Sequence, residues 1–266
     1  MRVIITRPLR EANKWAAALM ETGYKASVLP LVEVAAAADT EAVADAGLHL
    51  AEYDGVMFVS GNAVEHFFAS NQALGPVFCA GAAIKTRAFA TGPGTVAALL
   101  RAGAESAWID APDQDSQQFD SEALWAVIGS KMQATSRVLI VRGAGTSTAE
   151  APPGEGHGRD WFANQVKLAG ASVDYVVSYQ RVPVRLQAEA LAMAREAASD
   201  GSVWMFSSSE AIANLVASCP DQDWYAAKAV VTHPRIGDTA RKAGFVQVCE
   251  SRPSLASLLA SIESMQ

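Results

Sequence analysis

Four times in this chain a helix-spaced stretch stops at a glycine and resumes at once as an extended run. The four are E-T-G-Y-K-A-S-V-L at Gly23, R-A-G-A-E-S-A-W-I at Gly103, L-A-G-A-S-V-D-Y-V-V at Gly170 and K-A-G-F-V-Q-V at Gly244. A glycine there suits the left-handed residue that closes a helix. Helix, glycine and strand in repetition predict βαβ units, and so parallel sheets with helices on both faces. The opposite junction is marked as well. Val56–Val59 and Val203–Phe206 are wholly apolar, as buried parallel strands are, and each ends in small polar residues. Ser60-Gly61-Asn62 and Ser207-Ser208-Ser209 offer N-cap oxygens to the helices that follow.

Ten strands are predicted: Arg2–Thr6, Lys25–Leu29, Val56–Val59, Arg87–Thr91, Ser106–Ile109, Arg137–Val141, Ser172–Ser178, Val203–Phe206, Ala229–Thr232 and Val246–Cys249. Ten fit two five-stranded doubly wound sheets better than one. Leu31–Asp39 and Tyr179–Leu186 are extended, with Pro30 and Pro183 near them, and neither has the composition of a loose Gly/Ser linker. Two stiff crossings suggest that the middle of the chain is inserted into a domain made from both ends; two consecutive halves would need one crossing only. The expected division is therefore residues 1–34 with 183–266, and 39–178, with crossings near 31–39 and 179–186. Ala144–Gly158, dense in Pro and Gly, is expected to be a mobile surface loop carrying a solvated His157. Leu255, Leu258, Leu259 and Ile262 mark a last amphipathic helix whose start Pro253 sets.

The charge of −7, with no concentration of Lys and Arg, argues against general nucleic-acid binding. No apolar run approaches a membrane span. The start M-R-V-I-I-T-R-P reads as a strand and turn rather than a signal peptide, so the cytoplasm is expected. Cys79, Cys219 and Cys249 are odd in number and far apart, against a disulfide framework or a zinc site. Neither G-x-G-x-x-G after the first strand, nor G-x-x-x-x-G-K-[ST], nor G-x-S-x-G is present. His49, His66, His157 and His233 lack metal-ligand spacing, and the pair Asp113/Asp115 lies in a polar stretch.

A set of decorated strand ends remains: Thr6-Arg7-Pro8, Ser60-Gly61-Asn62, Gly92-Pro93-Gly94-Thr95, Arg142-Gly143, Ser207-Ser208-Ser209 and Thr232-His233-Pro234-Arg235. Ligands of open parallel sheets bind beyond the carboxyl ends of strands. Hydroxyls, amides and a few Arg are suited to holding a polycarboxylate without acid–base machinery. The candidate binding residues are Thr6, Arg7, Ser60, Asn62, Gly92, Thr95, Arg142, Ser207, Ser208, His233 and Arg235. Any one of them taken singly also serves as a cap or turn residue.

In order and spacing, V-I-I-T-R-P, P-L-V-E-V, F-V-S-G-N-A-V, A-T-G-P-G-T-V-A-A-L-L-R-A-G, F-D-S-E-A-L, L-I-V-R-G, G-R-D-W-F, V-S-Y-Q-R and T-H-P-R-I-G-D-T-A-R-K-A-G-F resemble the uroporphyrinogen-III synthase family over nearly the whole chain. The resemblance implies two flavodoxin-like α/β domains joined by a two-stranded crossing, with a site between them and neither cofactor nor metal. It implies closure of hydroxymethylbilane, a linear tetrapyrrole with eight carboxylates, with inversion of ring D and loss of water. Tyr179 matches the family's candidate for assisting departure of the hydroxyl, as a phenol that donates a hydrogen bond. Thr95 matches a threonine at a helix N-terminus, and Ser60 and Ser207 match serines that face the site. One departure stands out: where the family often has G-P-x-T-A, this chain has His233-Pro234-Arg235-Ile236-Gly237, so the hydroxyl is lost to Ile236 and Arg235 is offered as its substitute. Behind the polar insertion, Arg159 is not expected to reach the site. A monomer is expected, with transient contact to the preceding pathway enzyme, and no nucleic-acid or membrane partner. Two other readings are a non-catalytic two-lobed anion-binding protein, and a receiver-like pair of domains; for the latter, Thr6-Arg7-Pro8 stands where an acidic cluster would be wanted.

Overall fold

The computed structural model describes residues 1–72, 77–113, 116, 119–145, 157–252 and 255–265, with only the backbone of 157–159 and of 255. The expectations for His157, Arg159, Pro253, the pair Asp113/Asp115 and the 144–158 loop fall wholly or in part outside them. In chain order the elements begin β1 (Arg2–Ile5), α1 (Leu9–Glu21), β2 (Lys25–Val28), β3 (Val32–Ala36), α2 (Thr40–Leu48), β4 (Gly55–Phe58) and α3 (Gly61–Ser70). They continue β5 (Arg87–Ala90), α4 (Pro93–Arg101), β6 (Ile109–Asp110), α5 (Ser121–Ile128), β7 (Arg137–Ala144), α6 (His157–Leu168) and β8 (Ser172–Pro183). The last are α7 (Ala188–Ala197), β9 (Val203–Phe206), α8 (Ser209–Ser218), β10 (Lys228–Val231), α9 (Pro234–Lys242), β11 (Gln247–Glu250) and α10 (Leu255–Glu263).

The chain divides into two compact units, residues 1–34 with 182–266, and residues 35–181. The first holds a five-stranded sheet in the order β11-β10-β9-β1-β2, with parallel pairs throughout. Apolar residues cover both faces of this sheet, as a doubly wound layer requires. Trp204, Phe206, Trp224 and Phe245 pack on one face, Val3, Ile5, Leu19 and Met205 on the other. The second unit carries the sheet β3-β8-β7-β4-β5-β6. Its pairs from β8 through β6 are parallel. Its core includes Phe162, at 0 % exposure, with its ring edge-on to Trp125. Gly23, Gly103, Gly170 and Gly244, the four punctuating glycines, all adopt positive φ (87°, 95°, 86° and 106°), and Gly201, ahead of β9, makes a fifth at 79°.

Two details depart from the expected ten strands. The crossings are not free-standing: β3 is one, and β8 runs on through Val182-Pro183 as the other, so the sheets have five and six strands. A proline at the end of a strand, or just before one, removes no ladder hydrogen bond from its interior. Ser106–Trp108, expected as strand, is a 3₁₀ turn, and only Ile109–Asp110 pairs with β5. The Arg87 guanidinium donates to the Ala107 carbonyl at 3.0 Å, which ties down that turn.

Each sheet has one point where the strand order reverses, and there helices leave neighbouring strands toward opposite faces and open a crevice. In the first unit it lies between β1 and β9, in the second between β4 and β7. Just past β1, β9 and β4 come Thr6-Arg7, Ser207-Ser208 and Ser60, and Arg142-Gly143 lie among the last paired residues of β7.

Candidate active site

In the second unit the reversal point holds a compact group of polar and aromatic side chains. Ser60, two residues past β4, is extended and caps α3, its Oγ accepting from the Ala63 amide at 3.2 Å. The same Oγ lies 3.2 Å from the hydroxyl of Tyr179, and either oxygen is able to donate. Tyr179 belongs to β8, one strand beyond β7, so its ring must cross β7 to reach Ser60. Gly143 permits the crossing. A Cβ there would lie 2.3 Å from Cζ of Tyr179 and 2.5 Å from Cε2, closer than real side chains approach. The glycine is needed for space; its φ is not positive.

A bulge in β8 aims the ring. Arg142 is paired with Val177 and Gly143 with Tyr179, which leaves Ser178 as an extra residue. In a regular strand, successive side chains point to opposite faces, whereas a bulge re-aims one of them. Here both neighbours reach the first turn of α3: Ser178 Oγ donates to the Ala63 carbonyl at 3.2 Å, and Tyr179 meets Ser60. The His66 ring stacks on that of Tyr179, with centroids 5.8 Å apart at 29°. Tyr179 itself is 5 % exposed.

The other candidates of this unit are arranged more loosely. Gly92 caps α4 from extended backbone, Pro93 takes the first turn and Thr95 is buried. The N-terminus of α4 lies beside that of α3, since a Cβ on Gly61 would be 3.5 Å from the Gly94 carbonyl oxygen. Asn62 is half-buried in the first turn of α3. Arg142 is turned onto Tyr175, its guanidinium 5.1 Å from that ring, and its Nε is buried with no hydrogen-bond partner among the described residues. Burial first, then the charge of Asp160, pushes the Tyr175 phenol above its ordinary pKa, and Arg142 opposes both.

At the reversal point of the first unit the corresponding groups are engaged internally. Thr6 is 1 % exposed, and its hydroxyl donates to the Met205 carbonyl at 2.7 Å, tying β1 to β9. Arg7 folds back on α1, paired with Glu11 at 3.0 Å and lying 4.7 Å above the Trp15 ring. Ser208 caps α8, accepting from the Ala211 amide at 3.1 Å, and Ser207 is half-buried beside it. His233 caps α9 through Nδ1, which accepts from the Arg235 amide at 3.1 Å. Arg235 is exposed in the first turn of that helix and Ile236 is buried.

The family model described as uroporphyrinogen-III synthase HemD matches residues 13–260. The chain belongs to the uroporphyrinogen-III synthase family. Two solved members share its fold. A uroporphyrinogen-III synthetase from Helicobacter pylori, 13 % identical, covers 100 % of both chains with a TM-score of 0.58. A mutant uroporphyrinogen III synthase from Thermus thermophilus, 17 % identical, covers 100 % of this chain and 98 % of its own with a TM-score of 0.55. Among the described residues no helix is long and apolar enough to cross a membrane. Members of this family close a linear tetrapyrrole without a cofactor. Of the groups around Tyr179, His66 and Ser178 are not singled out by sequence as site residues, and Gly143 stands there as part of a strand end without its part in seating the ring. His66 sits in an ordinary helical stretch, and nothing in V-V-S-Y betrays a bulge.

Proposed function

We propose that Tyr179 is the proton donor of a uroporphyrinogen-III synthase, acting on the hydroxymethyl group of hydroxymethylbilane. The observation that carries this reading is a phenol held over Gly143 at the strand-order reversal of a chain that matches the family over residues 13–260. The bilane is electrophilic once its hydroxyl has gone. Protonation of that oxygen lets water leave, and loss of the pyrrole N–H proton gives a neutral azafulvene. The substituted carbon of ring D then attacks, and the spiro intermediate fragments and recloses with the ring inverted. The proton given to the departing oxygen is matched by those released as the pyrroles recover their aromaticity, so water and macrocycle are the net products. Such a reaction asks for positioning and charge stabilisation more than for strong acids or bases.

The carboxylates of the substrate are assigned to hydroxyls, amides and cations at the strand ends. In the second unit these are Asn62, Thr95 and the first amides of α3 and α4. Thr6 is assigned to the fold, because its hydroxyl is already bonded within it, and Arg7 is held on α1 by Glu11 and Trp15. The test is to feed freshly prepared hydroxymethylbilane and separate the product isomers. Type III product well above the uncatalysed rate supports the reading; type I alone, at the blank rate, rejects it.

A further inference from the structure

From the second unit we infer that Ser60 works on the reaction through Tyr179, as a positioning residue that sets the direction of the phenol proton. The inference rests on the assignment of Tyr179 as proton donor. A serine hydroxyl has one hydrogen and can accept as well. Ser60 Oγ already accepts from the Ala63 amide, an N–H that the start of α3 leaves without an intrahelical acceptor. That acceptance leaves Ser60 its hydrogen to donate, and Tyr179 Oη lies within its reach at 3.2 Å. When Ser60 donates, the phenol's own hydrogen is turned away from Ser60 and toward substrate. In the opposite arrangement the proton would be held between the two residues and be poorly placed for a leaving hydroxyl.

The surroundings allow the phenol little choice. The bulge at Ser178 fixes the strand position, Gly143 lies under the ring, and His66 stacks on it. Rotation of the O–H bond is then the freedom left to the donor, and Ser60 governs it. Ser60 is thereby placed in a different role from a hydroxyl that grips a carboxylate of the substrate.

The two roles separate in a double-mutant cycle, since residues acting through one another are not additive. Turnover and KM for type III product are measured for the wild type, Ser60→Ala, Tyr179→Phe and the double variant, with Ser60→Thr and Ser60→Asp as controls. Ser60→Ala is expected to lower kcat about tenfold, the factor carried by one net hydrogen bond of ordinary strength, with KM within about twofold. The double variant should turn over as Tyr179→Phe does. Ser60→Thr retains activity. Ser60→Asp keeps a good helix cap but accepts only, so it loses turnover without losing the fold. A multiplicative loss in the double variant, or a raised KM with kcat kept, would overturn the inference in favour of substrate gripping.

The outcomes also separate this inference from the functional reading. A wild type that makes type III product while Ser60→Ala keeps its full kcat would sink the inference and leave that reading standing. A wild type that makes only type I product, at the blank rate, would reject the reading itself.

Discussion

A methyl group at position 143 would stand 2.3 Å from the Tyr179 ring, with the ring's Cε1 and Cε2 at 2.7 Å and 2.5 Å. Three close contacts to one aromatic ring leave it no small adjustment, so Gly143→Ala should push the ring off its seat. A reacting group displaced by about 1 Å loses on the order of 10²-fold in rate, and that is the expected loss in kcat for type III product. Near-ultraviolet circular dichroism should change while the far-ultraviolet spectrum stays; wild-type turnover in Gly143→Ala would show that Tyr179 need not lie there. At this scale the sequence was partly legible. V-S-Y-Q-R and F-V-S-G-N-A-V point to Tyr179 and Ser60, and Thr6-Arg7 looks just as suitable. The structure adds their surroundings: Met205, far along the chain, takes the hydroxyl of Thr6, and Trp15 on the next helix covers the guanidinium of Arg7. A strand end shows which groups are available, not which are already bonded.

Among the elements, helix starts were the most readable part of the chain, because an N-cap is a local hydrogen bond between near neighbours. Ser60 and Ser208, which the sequence offers as caps, accept from the amide three residues on, and so do Asp39 and Asp120, which it does not single out. The caps are equal as local chemistry and unequal in function, which gives a contrast to measure. Asp120 caps α5, its carboxylate 2.8 Å from the Ala123 amide, and has no contact with Tyr179. Asp120→Ala should therefore cost about 1 kcal/mol of stability, read as a lower denaturant midpoint, with kcat for type III product unchanged. A tenfold fall in kcat at unchanged KM would contradict that separation of cap from site. The bulge in β8 was not readable. Alternation in V-D-Y-V-V-S-Y is equally compatible with a regular strand, and the extra residue emerges only when Val177 and Tyr179 are found opposite the consecutive pair Arg142 and Gly143. Register is a property of two strands, and one strand's composition does not contain it.

Across the molecule the chain supplies two separate sheets with separate cores, and this was visible in the repeated glycine punctuation and in the two stiff crossings. Chains with more than one core often unfold in more than one step. The six tryptophans report on both, Trp15, Trp204 and Trp224 in the first unit and Trp108, Trp125 and Trp161 in the second. Asp110 offers a handle on the second alone. It is 6 % exposed, and its carboxylate accepts from Arg87 Nε and from Lys131 Nζ, the latter at 2.9 Å. Burial works to raise its pKa, but the hydrogen bonds and charges of Arg87 and Lys131 outweigh it and hold the carboxyl below the ordinary range. A carboxyl whose pKa is lower folded than unfolded contributes stability above the unfolded value, and loses that contribution as pH falls through the folded one. Asp110→Asn should thus destabilise the second unit at pH 7 by about 1.5–3 kcal/mol, the range for a hydrogen bond to a charged group. The difference from wild type should narrow as the medium is taken below about pH 4, where the unfolded-state carboxyl becomes protonated. Fluorotryptophan resonances followed through denaturant would show it: Trp125 shifts its midpoint in Asp110→Asn while Trp224 keeps its own. Equal shifts at both tryptophans would mean that the two cores melt together, and a difference that stayed constant down to pH 3 would mean that the Asp110 charge is not what stabilises the unit.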